Sequence, residues 1–216
     1  MTPKDLYFDD PYRKEFETTV VSVNGNMVEL EDTYFFPRGG GQVGDQGTIN
    51  GIKVVDTVYE DGRIIHVMEN EPPFKTGDLA ACAIDWDKRY RRMRLHSASH
   101  IVHYLMGEVF GNDCKAASSG LLDEEKERTD FLFDVSLDRE KLMEVENRTN
   151  SIIAQDLEIR SYRDEADPET LVWEMGNWKM LCCGTHPRRS GEIGPIRLVR
   201  GKKPGKGRER IEIHLA

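Results

Sequence analysis

At 216 residues the chain has room for one large domain or two small ones with a real core, and its 38% apolar and 8% aromatic fractions suit a soluble globular protein. No apolar run approaches the roughly 18 residues of a membrane span, and the opening MTPKDLYFDDPYRKEFE has no apolar signal core, so a cytoplasmic protein is expected. The net charge of −9 is uneven: residues 1–87 carry 7 Lys and Arg against 17 Asp and Glu, a net of −10, whereas residues 88–216 carry 23 against 22, a net of +1.

The first 87 residues read as β structure. Residues 17–23 form an extended, β-branched run, Asn24-Gly25 is a hairpin signal, and residues 27–31 alternate apolar and polar. Residues 52–59 and 63–68 flank a second such signal, Asp61-Gly62, and residues 79–86 follow a breaker-rich stretch containing Pro72, Pro73 and Gly77. Five or six short strands joined as hairpins predict a small β-barrel. Between the hairpins lies FFPRGGGQVGDQG (35–47). Its Gly39, Gly40 and Gly41, followed by Gln42, leave backbone without Cβ atoms that a ligand or another chain can approach closely; a plain loop is the bland alternative. Without a Lys-Ser/Thr ending and a following helix it is not a P-loop.

From Arg89 the period becomes helical. Tyr90, Met93, Leu95, Ile101, Val102, Leu105, Met106, Val109 and Phe110 make a broad apolar face that ends at Gly111-Asn112. Residues 131–135 read as a strand, and 138–156 as a second helix with Leu142, Val145, Ile152 and Ile153 inward. Asp167-Pro168 reads as the cap and first position of a short helix ending near Gly176. Residues 193–199 and 211–215 read as closing strands. Mixed order with antiparallel pairing predicts an α+β fold, with residues 1–88 as a β-barrel domain and 89–216 as a second domain.

In the first long helix His96 and His100 stand at i and i+4, one above the other, so both imidazoles can reach a common point. Such a pair is often only a surface or core feature. Cys182 and His186, four apart around Gly184, add ligand types and a spacing that suit tetrahedral zinc. His103 continues the same face and reads as packing or support rather than as a ligand. Cys82 and Cys114 stand apart and read as buried packing residues, with no disulfide frame expected. Basic residues cluster at 88–94 and again in RLVRGKKPGKGRER (197–210), which holds seven basic residues and one acid. A polyanion would find phosphate contacts there, a solvated face being the bland alternative.

Together HSASHIVH (96–103), CCGTH (182–186), SGEIGPIRLV (190–199) and the glycine-rich 35–47 stretch resemble the alanyl-tRNA editing proteins of the AlaX type, free-standing relatives of the editing domain of alanyl-tRNA synthetase. The chain is similar in outline to their medium-length form, a translation-factor-like β-barrel followed by an α+β zinc-containing editing domain. The resemblance implies one zinc ion per chain on His96, His100, Cys182 and His186. Cys183 stands where relatives often have Gly, so a swap with Cys182 stays open. Ser99 falls where relatives often carry Thr. Synthetase relatives often carry a Gln in the loop after this helix; an ungapped reading puts Ala116 there, with Ser118 and Ser119 as candidates to line the pocket. The resemblance also implies mischarged tRNA(Ala) as partner, with Arg89, Arg91, Arg92, Arg94, Arg200, Lys202, Lys203 and Lys206 on its phosphates. The loop of Gly39, Gly40, Gly41 and Gln42 is expected near the acceptor end or the domain boundary.

The implied reaction is hydrolysis of the ester joining a wrong amino acid to tRNA(Ala), chiefly serine with glycine as a further candidate, sparing alanine. Zinc would polarise the ester carbonyl or bring the pKa of a water to ~7. Four protein ligands would close the ion's shell, so it would expand that shell, release a ligand or serve to position substrate and water. A site that hydrogen-bonds the serine hydroxyl can reject alanine by roughly 10⁴ to 10⁵, and Ser99 is the candidate group. Two alternatives are weighed. Editing of Ser-tRNA(Thr) is favoured by the His-x3-His helix, and a non-catalytic zinc-stabilised RNA-binding module by the closed four-ligand set. An internal domain of a full synthetase is not expected, because 216 residues leave no room for an amino acid activation domain.

Overall fold

The computed structural model describes residues 6–111, 114–117, 120–133, 136–168 and 170–216. Its fold is mixed α+β and divides into two compact units, Met1–Tyr90 and Arg91–Ala216.

In the first unit, after a short helix α1 (Leu6–Asp9), six strands close a barrel in the order β1-β2-β5-β4-β3-β6. They are β1 (Glu15–Asn24), β2 (Met27–Leu30), β3 (Gly47–Ile49), β4 (Ile52–Glu60), β5 (Arg63–Met68) and β6 (Leu79–Ile84). Every pairing is antiparallel, and β1 on β6 completes the ring, so no strand edge is left open. Val20, Val28, Leu30, Phe35, Ile49, Val54, Met68 and Cys82 fill the interior. Strand β3 is absent from the predicted set. Its hairpin signal is nevertheless present: Asn50 and Gly51, both left-handed at φ 48° and 78°, turn the chain from β3 into β4, the conformation that Asn-Gly favours.

A buried ion pair ties the glycine-rich stretch, at Asp45, to the start of the next helix. Arg89 donates from Nε to Asp45 Oδ2 at 2.7 Å and from a second guanidinium nitrogen to the same oxygen, and also donates to the carbonyls of Pro11 and Tyr34 at 3.1 and 2.6 Å. Asp45 also accepts from the Phe36 amide at 2.7 Å. Both side chains are buried.

Helix α2 (Trp86–Phe110) begins three residues before the predicted start, because Asp85 accepts from the Lys88 amide at 3.3 Å and caps its first turn. In the second unit Leu95, Ala98, Ile101, Val102, Leu105 and Met106 of this helix are fully buried. They pack in one core with Phe131, Phe133, Val145, Ile153, Trp173 and Ile211. One sheet runs β13 (Ile196–Arg200), β14 (Arg208–Leu215), β9 (Glu127–Phe133), β7 (Cys114–Ala116), with β8 (Leu121–Leu122) also on β9. A second sheet is β10 (Ile159–Arg163), β11 (Leu171–Met175), β12 (Trp178–Leu181). Helix α3 (Arg139–Ile153) starts at the Asp138 cap, whose carboxylate accepts from the amides of Glu140 and Lys141. Cys82 and Cys114 are buried free thiols.

Two expectations are corrected. The short helix ending near Gly176 is instead the β11–β12 hairpin: Leu171–Met175 is rich in β-compatible residues, and Gly176 at φ 59° opens the turn. The strand expected at 193–199 begins later, at Ile196, because Ser190–Ile193 forms a 3-10 turn that Gly194 ends at φ 69°. No helix among the described residues is long and apolar enough to cross a membrane.

Glu127, on the core side of β9, is buried and accepts from Thr129, while its Oε2 has no hydrogen-bond partner among the described residues. Burial raises its pKa to about 8, against the opposing Thr129 hydrogen bond and Arg128 charge. An acid whose folded pKa lies above its unfolded value destabilises the fold progressively as pH rises from 4.5 to about 8. Stability relative to Glu127→Gln should therefore fall across that window, by up to about 1.4 kcal/mol per pH unit. Paired thermal unfolding of both proteins at pH 5 and pH 8 checks this, and a pH-independent difference would refute it.

Candidate metal centre

Helix α2 carries His96 and His100 on one face with ring centroids 4.8 Å apart. The other half of the group follows β12 directly. Cys182 is anchored by its amide on Leu171 O at 2.9 Å, so the hairpin fixes where the CCGTH turn begins. His186 then lies 4.4 Å from the His96 ring and 5.0 Å from that of His100. One ligand atom from each of His96, His100, Cys182 and His186 can be chosen so that all four lie within 4.8 Å of one another.

The donor set fits a metal ion on several independent points. Cys182 Sγ stands 3.4 Å from His96 Nε2 and 3.2 Å from His186 Nε2. These separations are close to the edges of a tetrahedron with metal bonds of about 2.0–2.3 Å. His186 Nδ1 is hydrogen-bonded to Ser97 Oγ at 2.9 Å, which leaves Nε2 turned toward the cluster. His100 Nε2 is buried with no hydrogen-bond partner among the described residues, an orphan that a cation would satisfy.

Burial also sets the charge state. It lowers His96 to about 4, and holds His100 and His186 well below their ordinary value, with neighbouring imidazoles adding to the effect. All three are neutral near pH 7, the form that ligates. Burial pushes the Cys182 thiol up to about 12, so without a cation it keeps its proton and ion binding would release it. Cys183 is exposed and lies outside the group, which takes in Cys182.

Other predicted residues fall differently. Ser99 is half-buried and donates its hydroxyl to the His96 carbonyl at 2.8 Å, so its oxygen remains only as an acceptor. Ser118 and Ser119 lie outside the described residues. His103 is exposed and outside the group, so of its two expected roles, packing or support, packing is corrected. In the glycine-rich loop the Gly39 amide donates to Gln42 O and the Gln42 amide to Gly39 O, at 3.1 and 2.9 Å, with Gly40 and Gly41 left-handed at φ 56° and 89° and Gln42 buried. These residues therefore build a closed turn.

The expected phosphate contacts divide. Arg89 and Arg92 are buried, at 0% and 1% exposure, so their guanidinium groups are not presented to a phosphate. Asp45 holds the first and Glu124 the second, because an arginine taken out of water needs a carboxylate. Arg91 is exposed, and Arg94 is half-buried with Nε on Ile193 O at 2.8 Å. Arg200 and Lys203 are exposed but engaged with Glu209, while Lys202 and Lys206 are exposed.

Two residues near the group escaped sequence reasoning. Ser97, one position from His96, follows no ligand spacing. Trp173, fully buried with its ring 4.9 Å from His100, falls in the segment read as a helix.

A closed six-stranded barrel, and an α+β unit that brings a half-buried Cys together with three His, define a class that is also visible in family comparison. Residues 171–212, which include Cys182 and His186, match the model of the threonyl and alanyl tRNA synthetase second additional domain, and residues 8–88 that of the class II (A) tRNA synthetases. The whole chain is 34% identical over 226 residues to the alanyl-tRNA editing protein AlaX-M of Pyrococcus horikoshii, covering 98% of that protein. It is 33% identical to AlaX-M of Saccharolobus solfataricus, with 96% of this chain and 97% of that protein aligned. The alanine–tRNA ligase of Ignicoccus hospitalis is 32% identical over 96% of this chain, which spans 25% of the ligase. The chain belongs to the AlaX-M family of alanyl-tRNA editing proteins.

Proposed function

We propose that this protein is a zinc-dependent deacylase acting in trans on mischarged tRNA(Ala), chiefly Ser-tRNA(Ala) with Gly-tRNA(Ala) as a second substrate, while sparing Ala-tRNA(Ala). The observation that carries the reading is the four-residue group of His96, His100, Cys182 and His186 in a chain aligned along its length with AlaX-M proteins. In this reading residues 1–88 form a translation-factor-like barrel domain and residues 89–216 the editing domain.

When bound, the zinc ion supplies Lewis-acid polarisation of the ester carbonyl and acidifies a water to a pKa of ~7. The chain's own part is to orient. Ser97 holds the His186 ring with Nε2 toward the cluster, the His-x3-His helix gives two ligands a rigid backbone, and Trp173 packs against the His100 ring. Arg91, Arg94, Arg200, Lys202, Lys203 and Lys206 supply positive charge for the tRNA phosphates.

Ser99 carries the specificity argument. Its hydrogen is committed to His96 O, so the hydroxyl of a seryl substrate would donate to Ser99 Oγ, a bond that alanine cannot make. Ser99→Ala is expected to retain zinc and lose serine preference by on the order of tenfold, about one hydrogen bond. Unchanged kcat/KM on Ser-tRNA(Ala) and Ala-tRNA(Ala) would remove Ser99 from this role. The reading as a whole is tested by serine release from Ser-tRNA(Ala) and Ser-tRNA(Thr) side by side. Faster release from the threonine tRNA, or release from neither, would overturn it.

A further inference from the structure

The five-stranded sheet of the second unit has two unlike faces. On the core side Phe131 pairs with Glu209, Thr129 with Ile211 and Glu127 with Ile213, all buried or half-buried. The alternate positions face solvent, as the two-residue period of a strand requires. There the register aligns Lys115 with Leu132 and Leu132 with Arg208, then Asp130 with Arg210, Arg128 with Glu212, and Arg197 with His214. Cations therefore recur on β7, β9, β14 and β13, although they come from distant parts of the sequence.

The acids on this face are already engaged. Asp130 accepts from Arg210 at 2.7 and 3.0 Å, and Glu212 holds Lys126 at 2.7 Å. Arg128 is taken by Asp123 at 2.8 Å. Lys115, Arg197 and Arg208 are exposed and make no ion pair among the described residues. The β13–β14 connection extends the charge with exposed Lys202 and Lys206. This positive face stands on a protein whose net charge is −9, so it is not the overflow of a basic composition.

We propose that this outer sheet face seats the sugar-phosphate backbone of an RNA duplex, the acceptor arm of the substrate tRNA. Charge spread across several strands suits a repeating polyanion rather than a single small anion. Neighbouring strands are about 5 Å apart and successive outward residues about 7 Å. An A-form duplex is held mainly through phosphates and 2′-hydroxyls, for which such a platform needs no base-reading groups. The identity of the RNA rests on the deacylase reading above; the charge pattern does not.

The test uses an unacylated hairpin RNA with the tRNA(Ala) acceptor-stem sequence, and the full chain carrying Lys115→Gln, Arg197→Gln and Arg208→Gln together. Affinity is measured by fluorescence anisotropy between about 50 and about 200 mM salt. The expected result is a log–log salt slope smaller by about two to three and binding weaker by roughly tenfold or more. The Lys115→Arg, Arg197→Lys, Arg208→Lys protein keeps the charges and should keep the slope. An unchanged slope and affinity in the Gln protein would overturn the proposal, as would wild-type binding to phosphatidylserine vesicles as tight as to the RNA. If wild-type protein cleaves no ester yet shows the slope loss, the face stands and the deacylase reading fails. Ester cleavage with an unchanged slope means that the deacylase reading stands and the face fails.

Discussion

Replacing His100 with alanine is expected to abolish stoichiometric metal binding and to lower deacylation by on the order of a hundredfold or more. His100 is mid-helix and buried, its Nε2 has no hydrogen-bond partner among the described residues, and it shares the cluster with Cys182, His96 and His186. Removing it deletes one of four donors and opens a hole between Trp173 and His186. Ser97→Ala supplies the graded comparison. It leaves all four donors but removes the contact that orients the His186 ring, so metal affinity should fall by roughly ten to a hundredfold, the usual cost of losing a group that orients a ligand. Metal content after chelator treatment and gel filtration reads both effects. Full retention of one ion in His100→Ala would show that this group is not the metal site.

Arg89→Met is expected to destabilise the protein by about 3–5 kcal/mol, because it leaves the Asp45 carboxylate buried without its guanidinium partner. Breaking such a pair costs more than the pair contributes. The double variant Asp45→Asn, Arg89→Met should therefore be more stable than Arg89→Met alone, as the stranded charge is gone. Denaturant unfolding of the full chain distinguishes the cases. A loss under about 1 kcal/mol in the single variant would place the pair with weak surface ion pairs.

The candidate metal group was the most legible part of the sequence, since the i,i+4 spacing of His96 and His100 is a property of a helix alone. Cys182 and His186 were legible as a spaced pair of ligand types, whereas the grouping of Cys182 rather than Cys183 with the histidines needed the anchor of Cys182 on Leu171. Hairpins were readable at Asp61-Gly62 and missed at Asn50-Gly51, although the same left-handed turn chemistry operates at both. The segment 167–176 misled because Asp167-Pro168 resembles a helix start, whereas tertiary pairing with Ile159–Arg163 and Trp178–Leu181 decides for strand. Arg89 and Arg92 misled for another reason. A run of basic residues on a helix reads as surface charge, and only the fold shows that carboxylates from distant positions have taken two of them inside. Lys115 and Arg208 were invisible as neighbours, because strand register carries that information.

Metal-dependent, serine-selective editing of tRNA(Ala) is tested most directly by following deacylation of Ser-tRNA(Ala) beside Ala-tRNA(Ala), with protein of measured zinc content and with His100→Ala as control. The expected result is one zinc per chain, rapid loss of serine, survival of the alanyl ester, and neither zinc nor serine release in the variant. Tight tRNA binding with both esters intact, or equal activity in His100→Ala, would contradict it.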